Sequence, residues 1–138
     1  WRAFAMYSPW FPIGKIVRFG CAQGLDDAAV AAYDAPYPSS RYTVGARVFP
    51  TLVPIHPNDP ARAANERAWD MYKAWTKPFI TLFATRDPVT KGGEKMWQKK
   101  VPGAAGQNHT PIRGAGHFVQ EDKGPEVAQA LVEFIRAN

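Results

Sequence analysis

Phe79-Ile80-Thr81-Leu82-Phe83-Ala84 runs directly into Thr85-Arg86-Asp87-Pro88-Val89. The first six residues are almost all apolar and rich in β-formers, the pattern of a strand buried on both faces of a parallel sheet. The residues after it read as a turn, with Asp87 just ahead of a proline. A second junction of the same kind follows. Thr110-Pro111-Ile112-Arg113 reads as a short strand, at a sheet edge because of Pro111. It leads into the glycine-rich turn Gly114-Ala115-Gly116-His117 and on to Phe118-Val119-Gln120-Glu121. Gly92 to Lys100 lies between the two junctions and reads as helical. Gly124-Pro125 opens a last helix, with proline in its first turn. Its Val127, Leu131, Phe134 and Ile135 fall at i, i+4, i+7 and i+8, which predicts one core-facing stripe. Strand, helix, strand, helix predicts a right-handed parallel crossover and an α/β fold class. Two strands do not make a stable parallel sheet, so this reading expects other strands ahead of Trp1.

Working toward the N-terminus, the character of the chain changes near residue 77. The part before it is rich in proline, aromatics and short helical runs, whereas the part after it carries the strand-like runs. Asp26 and Asp27 precede Ala28-Ala29-Val30-Ala31-Ala32-Tyr33, a short helix with acid at its positive end. It stops at Asp34-Ala35-Pro36, because proline disfavours helix in the residue before it. Tyr37-Pro38-Ser39-Ser40 reads as a turn. Val44 to Val53 reads as a helix broken or kinked near Pro50. Residues 54–60 carry three prolines and read as a loop. Ala61 to Trp75 reads as a longer helix with Trp69 and Tyr72 on one face.

The bulk properties set bounds on function. The chain has 138 residues, the size of one ordinary domain, and 46% hydrophobic residues, enough for a packed core. Trp1 is the first residue and nothing resembles a signal peptide, so the chain is expected to be a piece of a longer, cytoplasmic protein. No apolar run approaches the roughly 18 residues of a membrane helix. The net charge is +5, but the basic residues are scattered. Lys95, Lys99 and Lys100 form the densest group and read as a solvated helix face. Nucleic acid and membrane are therefore not expected partners. His56, His109 and His117 are far apart in sequence, and the lone Cys21 cannot build a zinc site with them. No metal is expected, and Cys21 reads as a small buried hydrophobe.

Asp87 and His117 stand 30 residues apart, each in the turn after a strand-like run. A histidine serves as a base near neutrality, but its ring can rotate and exists in two tautomers. A carboxylate that accepts the Nδ1 proton fixes both and stabilises the imidazolium. Loops at the carboxyl ends of neighbouring parallel strands are where an open α/β sheet does its chemistry, and Gly114 and Gly116 allow a tight bend there. From residue types alone, a turn-forming aspartate and a surface histidine remain the competing explanation. A nucleophile would normally sit on a Gly-x-nucleophile-x-Gly elbow ahead of both residues. Neither Gly-x-Ser-x-Gly nor Gly-x-Asp-x-Gly occurs in the chain.

Three further stretches carry a family resemblance: Asp34-Ala35-Pro36-Tyr37-Pro38, Tyr42-Thr43-Val44-Gly45-Ala46-Arg47-Val48-Phe49-Pro50, and Val53-Pro54. Together they resemble the cap domain of haloalkane dehalogenases. Thr85 to Val89 and Gly114 to Glu121 resemble that family's acid and histidine segments, in the same order. The resemblance covers essentially the whole chain. It implies an incomplete α/β-hydrolase fold, with a partial helical cap at residues 1–76 followed by the last strands and helices of the main domain at 77–138.

The resemblance also implies a reaction. A carboxylate displaces halide from an sp³ carbon and leaves an alkyl-enzyme ester. His117, oriented by Asp87, then activates water to hydrolyse that ester, without any cofactor. The nucleophilic aspartate would lie upstream of Trp1, so the fragment by itself is expected to be inactive. A cap tryptophan of the family donates an indole N–H to the halide, and Trp1 matches it, with Trp10 the rival. Trp69, Trp75 and Trp97 read as packing residues. By the same resemblance Phe49, Pro50, Val53, Val89 and Phe118 line the apolar substrate pocket. The implied partners are a small haloalkane, water and halide ion, and the full-length protein is expected to be monomeric.

Three alternatives stay open at the level of sequence. An epoxide hydrolase would use cap tyrosines, and Tyr7, Tyr33, Tyr37, Tyr42 and Tyr72 are available. A serine esterase would differ in the elbow residue. A non-catalytic module could have kept the fold.

Overall fold

The computed structural model describes residues 1–138. Seven α-helices follow one another: α1 (Arg2–Tyr7), α2 (Ile13–Gly20), α3 (Asp27–Asp34), α4 (Val44–Val48), α5 (Arg62–Lys73), α6 (Glu94–Lys100) and α7 (Val119–Ala137). Short 3₁₀ turns occur at Ser40–Thr43, Phe49–Leu52 and Pro102–Ala104. The chain divides into two compact units. One comprises residues 1–17 and 26–70, and the other residues 18–25 and 71–138.

In the first unit, local chemistry sets the helix boundaries. The Asp26 side chain accepts from the Ala29 N–H at 2.7 Å, so the acidic start of α3 is a true N-cap. Pro50 does not end the 44–53 helix but tightens it, and α4 passes into the 3₁₀ turn Phe49–Leu52. Helices α2 and α3 meet at Gly14. Its N–H donates to Asp34 Oδ1 at 2.8 Å, and a Cβ there would run into the Val30 carbonyl. Arg47 ties the unit together. Its Nη1 donates to the Ala5 and Ser8 carbonyls at 3.1 and 2.8 Å, and its Nε to Thr43 Oγ1 at 3.0 Å. Its guanidinium also lies 4.6 Å from the Phe11 ring centroid. Arg2 fastens the 50–53 segment by donating to the carbonyls of Pro50, Thr51 and Val53.

The second unit is built around Ala84, Ile112 and Ala115, with Leu82, Val119 and Val127 packed against them. The parallel crossover is present in its smallest form, a single parallel bridge between Ala84 and Ile112. The Ile112 N–H donates to Phe83 O at 2.9 Å, and the Thr85 N–H to Ile112 O at 3.0 Å. The sequence expectation of two strands over 79–84 and 110–113 is corrected here, because neither run forms a ladder beyond this bridge. The physical reason is pairing. A strand with the composition of 79–84 belongs between two neighbours, and here each run finds only the other.

The last helix also departs from expectation. Val119–Ala137 runs as one helical stretch, but Lys123 has non-helical dihedrals that kink it just ahead of Gly124-Pro125. Of the expected core stripe, Val127 packs on the core, whereas Leu131 and Ile135 are 42% and 72% exposed. A separate aromatic cluster joins Tyr72, Phe79 and Trp97, with ring centroids 5.1 to 6.2 Å apart. Trp97 and Tyr72 are therefore packing residues.

Candidate active site

The Ala84–Ile112 bridge places two loops side by side at its carboxyl end. One is Thr85-Arg86-Asp87 and the other is Arg113 to His117. Two further hydrogen bonds lock them together: Arg86 N–H donates to Ala115 O at 3.0 Å, and Gly114 N–H to Thr85 Oγ1 at 3.1 Å. Gly114 has a φ of +78°, the left-handed conformation that glycine adopts without strain. The result is a defined meeting of Asp87 and His117. His117 Nδ1 lies 3.1 and 3.2 Å from the two carboxylate oxygens of Asp87.

The two partners differ in environment. The Asp87 side chain is 4% exposed and the His117 side chain 38%. Burial alone would push the Asp87 carboxyl up. Donation from Thr90 Oγ1, from the Val89 N–H at 2.8 Å and from His117 outweighs it, so its pKa lies below the ordinary 3.8. Asp87 is thus a carboxylate at neutral pH and can only accept. His117 Nδ1 must then carry the proton it donates, which leaves the Nε2 lone pair for a proton from outside the pair. A buried, fixed carboxylate and an open imidazole in a set tautomer form an arrangement that can act as a base with its orienting group.

The other histidines have different tasks. His109 Nδ1 accepts from the Thr81 N–H at 3.1 Å, so its proton sits on Nε2 and is donated to Ala104 O at 2.9 Å. This histidine is spent on holding the 79–84 run to the Pro102–Ala104 turn. His56 lies in the loop after Val53, where its backbone N–H donates to Asp59 at 2.6 Å.

The remaining residues proposed from sequence fall into both units. Phe118 belongs with His117, their rings 5.3 Å apart and edge-to-face. Val89 follows Asp87 on an exposed turn, and its backbone N–H is one of the groups that hold the carboxylate. Trp1 lies in the first unit, with ring centroids 5.4 Å from Phe4 and 6.2 Å from Phe11. Phe49, Pro50 and Val53 lie in the same unit, on the segment that Arg2 fastens. Trp10, the alternative to Trp1, has Lys15 Nζ 5.6 Å from its ring centroid. Cys21 is buried, and burial followed by the nearby Asp122 and Glu121 charges pushes its thiol up to about 11. That favours the inert role expected for it.

Sequence reasoning missed Asp122. Its carboxylate accepts three backbone N–H groups: Gly116 at 2.7 Å, Ala22 at 2.8 Å and Gln23 at 2.8 Å. Desolvation raises its pKa, but these three bonds and the nearby Arg86 charge outweigh it, so the carboxyl titrates below the ordinary 3.8. The available signal was an acidic pair, Glu121 and Asp122, in the first turn of the helix that follows the glycine-rich loop.

The chain is 49% identical over 138 residues to a haloalkane dehalogenase of Psychrobacter cryohalolentis, covering all of this chain and 46% of that protein. A second haloalkane dehalogenase, from Mycobacterium marinum, is 49% identical over 134 residues, 97% of this chain and 45% of that protein. Over its whole length this chain is similar to part of haloalkane dehalogenases. It spans about half the length of the curated relatives it matches. Among solved structures, haloalkane dehalogenase DpaA from Paraglaciecola agarilytica superposes with a TM-score of 0.77 at 30% identity, over 96% of this chain and 44% of that one. That structure is described as tetrameric. No family model matches the chain. Haloalkane dehalogenases have the α/β-hydrolase fold, and the likeness to DpaA extends through both compact units of this chain. None of the helices is long and apolar enough to cross a membrane.

Proposed function

We propose that the protein carrying this chain hydrolyses haloalkanes to an alcohol, a halide ion and a proton. A carboxylate nucleophile outside residues 1–138 attacks the halogen-bearing carbon. The carbon–halogen bond breaks, halide departs with the bonding pair, and an alkyl ester remains on the enzyme. His117 Nε2 then takes a proton from water, and the oxygen attacks the ester carbonyl. As the tetrahedral species collapses, the imidazolium returns its proton to the departing alkoxide, which frees the alcohol, and the carboxyl group left on the nucleophile loses the released proton and regenerates the carboxylate. Asp87 holds the ring and stabilises the imidazolium. The observation that carries this reading is the contact of 3.1 and 3.2 Å between His117 Nδ1 and the buried Asp87 carboxylate, in a chain 49% identical to named haloalkane dehalogenases. General base catalysis of this type contributes on the order of 10²–10⁴-fold.

The finer assignments belong to the same proposal. Residues 1–76 form part of a cap and residues 77–138 the end of a main domain. The two compact units support this division, except that residues 18–25 and 71–76 pack with the second. Trp1 donates its indole N–H to the departing halide, where negative charge develops. Phe49, Pro50, Val53, Val89 and Phe118 line the apolar pocket. The full-length protein is monomeric and works without a cofactor. The test is halide release from 1-bromobutane by the full-length protein. Steady release by wild type that stops in His117→Ala supports the reading. Undiminished steady release by His117→Ala removes this histidine from the mechanism.

A further inference from the structure

Residues 20–23 are closely involved with the histidine loop. The His117 N–H donates to Gly20 O at 2.7 Å. The Asp122 carboxylate binds both sides of the same contact. Its Oδ2 accepts from Gly116 N–H at 2.7 Å and from Ala22 N–H at 2.8 Å, while its Oδ1 accepts from Gln23 N–H at 2.8 Å. Gln23 Nε2 returns a bond to the Asp122 carbonyl at 3.2 Å. The approach is so close that both facing positions need glycine. A Cβ on Gly116 would lie 2.6 Å from Gly20 O and 2.7 Å from Ala22 N, and a Cβ on Gly20 would lie 2.6 Å from the Phe118 ring.

We infer that Asp122 is a positioning residue for His117: by clamping the Gly116, Ala22 and Gln23 amides it fixes the backbone from which the imidazole reaches its water. The Asp87 bond fixes only one end of the ring. The other determinant of where Nε2 points is the position of the His117 backbone, and Gly116, the residue before it, is held by the Asp122 carboxylate. Charge-assisted bonds to backbone amides are short and strong, and a carboxylate that accepts three of them has little freedom to move. A misplacement of about 1 Å in a reacting group can cost on the order of 10²-fold in rate.

This inference rests on the proposed two-step hydrolysis, which supplies a diagnostic readout. His117 acts in ester hydrolysis and not in halide displacement. A variant with a misplaced His117 therefore slows the second step alone. For two sequential steps, kcat and KM then fall together and kcat/KM stays unchanged. A variant that only loses folded protein shows a lower kcat, an unchanged KM and a halide burst of reduced amplitude.

The experiment compares wild type, Asp122→Asn, Asp122→Ala and His117→Ala in the full-length protein, by rapid-quench halide release and steady-state kinetics with 1-bromobutane. Asn keeps one acceptor oxygen and is the variant to rely on if Ala does not fold. The expected result for Asp122→Asn is a full-amplitude burst, with kcat and KM both reduced on the order of 10-fold, a fraction of the misplacement cost above. A wild-type kcat, or a reduced kcat with unchanged KM and a shrunken burst, overturns the inference. His117→Ala separates the two levels. If it gives a burst and stops while Asp122→Asn turns over normally, only the role of Asp122 fails. If it gives steady turnover, the hydrolytic reading fails and this inference falls with it.

Discussion

Gly116→Ala should be far more damaging than a methyl group ordinarily is. The new Cβ would lie 2.6 Å from Gly20 O, 2.7 Å from Ala22 N and 3.3 Å from Ala22 Cβ. The first two are backbone atoms, which cannot swing aside as a side chain can. Ordinary contact needs about 3.5 Å, so the 20–23 segment and the histidine loop must part by about 1 Å. The 2.7 Å bond from His117 N–H to Gly20 O would then stretch beyond hydrogen-bonding range. Overpacking costs about 1–3 kcal/mol, and the lost bond adds about 0.5–1.5 kcal/mol, so the expected destabilisation is about 2–4 kcal/mol. Gly114→Ala is the control. It has a φ of +78° but nothing within 4 Å of its Cβ, so it should cost only the backbone strain of about 1–2 kcal/mol. Urea unfolding of both variants, with unchanged slopes, gives the comparison. If Gly116→Ala costs no more than Gly114→Ala, the reasoning that the close approach of residues 20–23 leaves no room for a Cβ at Gly116 is refuted.

Gly45 lies inside α4 with open space around its Cβ, so Gly45→Ala should stabilise by about 0.5–1 kcal/mol, read as a raised Tm. Arg47→Ala should destabilise by about 2–4 kcal/mol, because it leaves the Ala5 and Ser8 carbonyls without their donor. Arg47→Lys should recover only part of that, since an ammonium cannot present the same fork. The lowered pKa of Asp122 makes a pH prediction. A depressed carboxylate stabilises the fold above its unfolded value, and that contribution disappears as pH falls through the folded value. The stability gap between wild type and Asp122→Asn should therefore narrow as pH is lowered from about 6 to about 3. A gap that stays constant across that range contradicts the role given to the charge.

The sequence made the site's two partners legible for a physical reason. An aspartate and a histidine each follow an apolar run, and residues at the ends of adjacent extended segments must be neighbours once those segments pair. The Ala84–Ile112 bridge is that pairing, and His117 meets Asp87 because of it. The helix starts were legible where a side chain caps them, as Asp26 does for α3. What was not legible depends on distant partners. The 79–84 run reads as a strand from its own composition, but a strand of that composition belongs inside a sheet, with a neighbour on each side. Ile135 fits a helical stripe by spacing, yet it stays 72% exposed, since periodicity gives a face and not what covers it. Asp122 escaped notice because its partners Ala22 and Gln23 lie about a hundred residues away. Gly20 and Gly116 show the same limit, because each is required by an approach that no local pattern announces.

The most direct test of the central claim is intact-mass measurement of full-length His117→Ala after a brief exposure to 1-bromobutane. Hydrolysis by a His117-activated water predicts that the alkyl-enzyme ester accumulates. The protein should gain the mass of one butyl group with about one halide released per enzyme, while wild type under steady turnover shows little adduct. Unmodified His117→Ala protein that continues to release halide would contradict the claim.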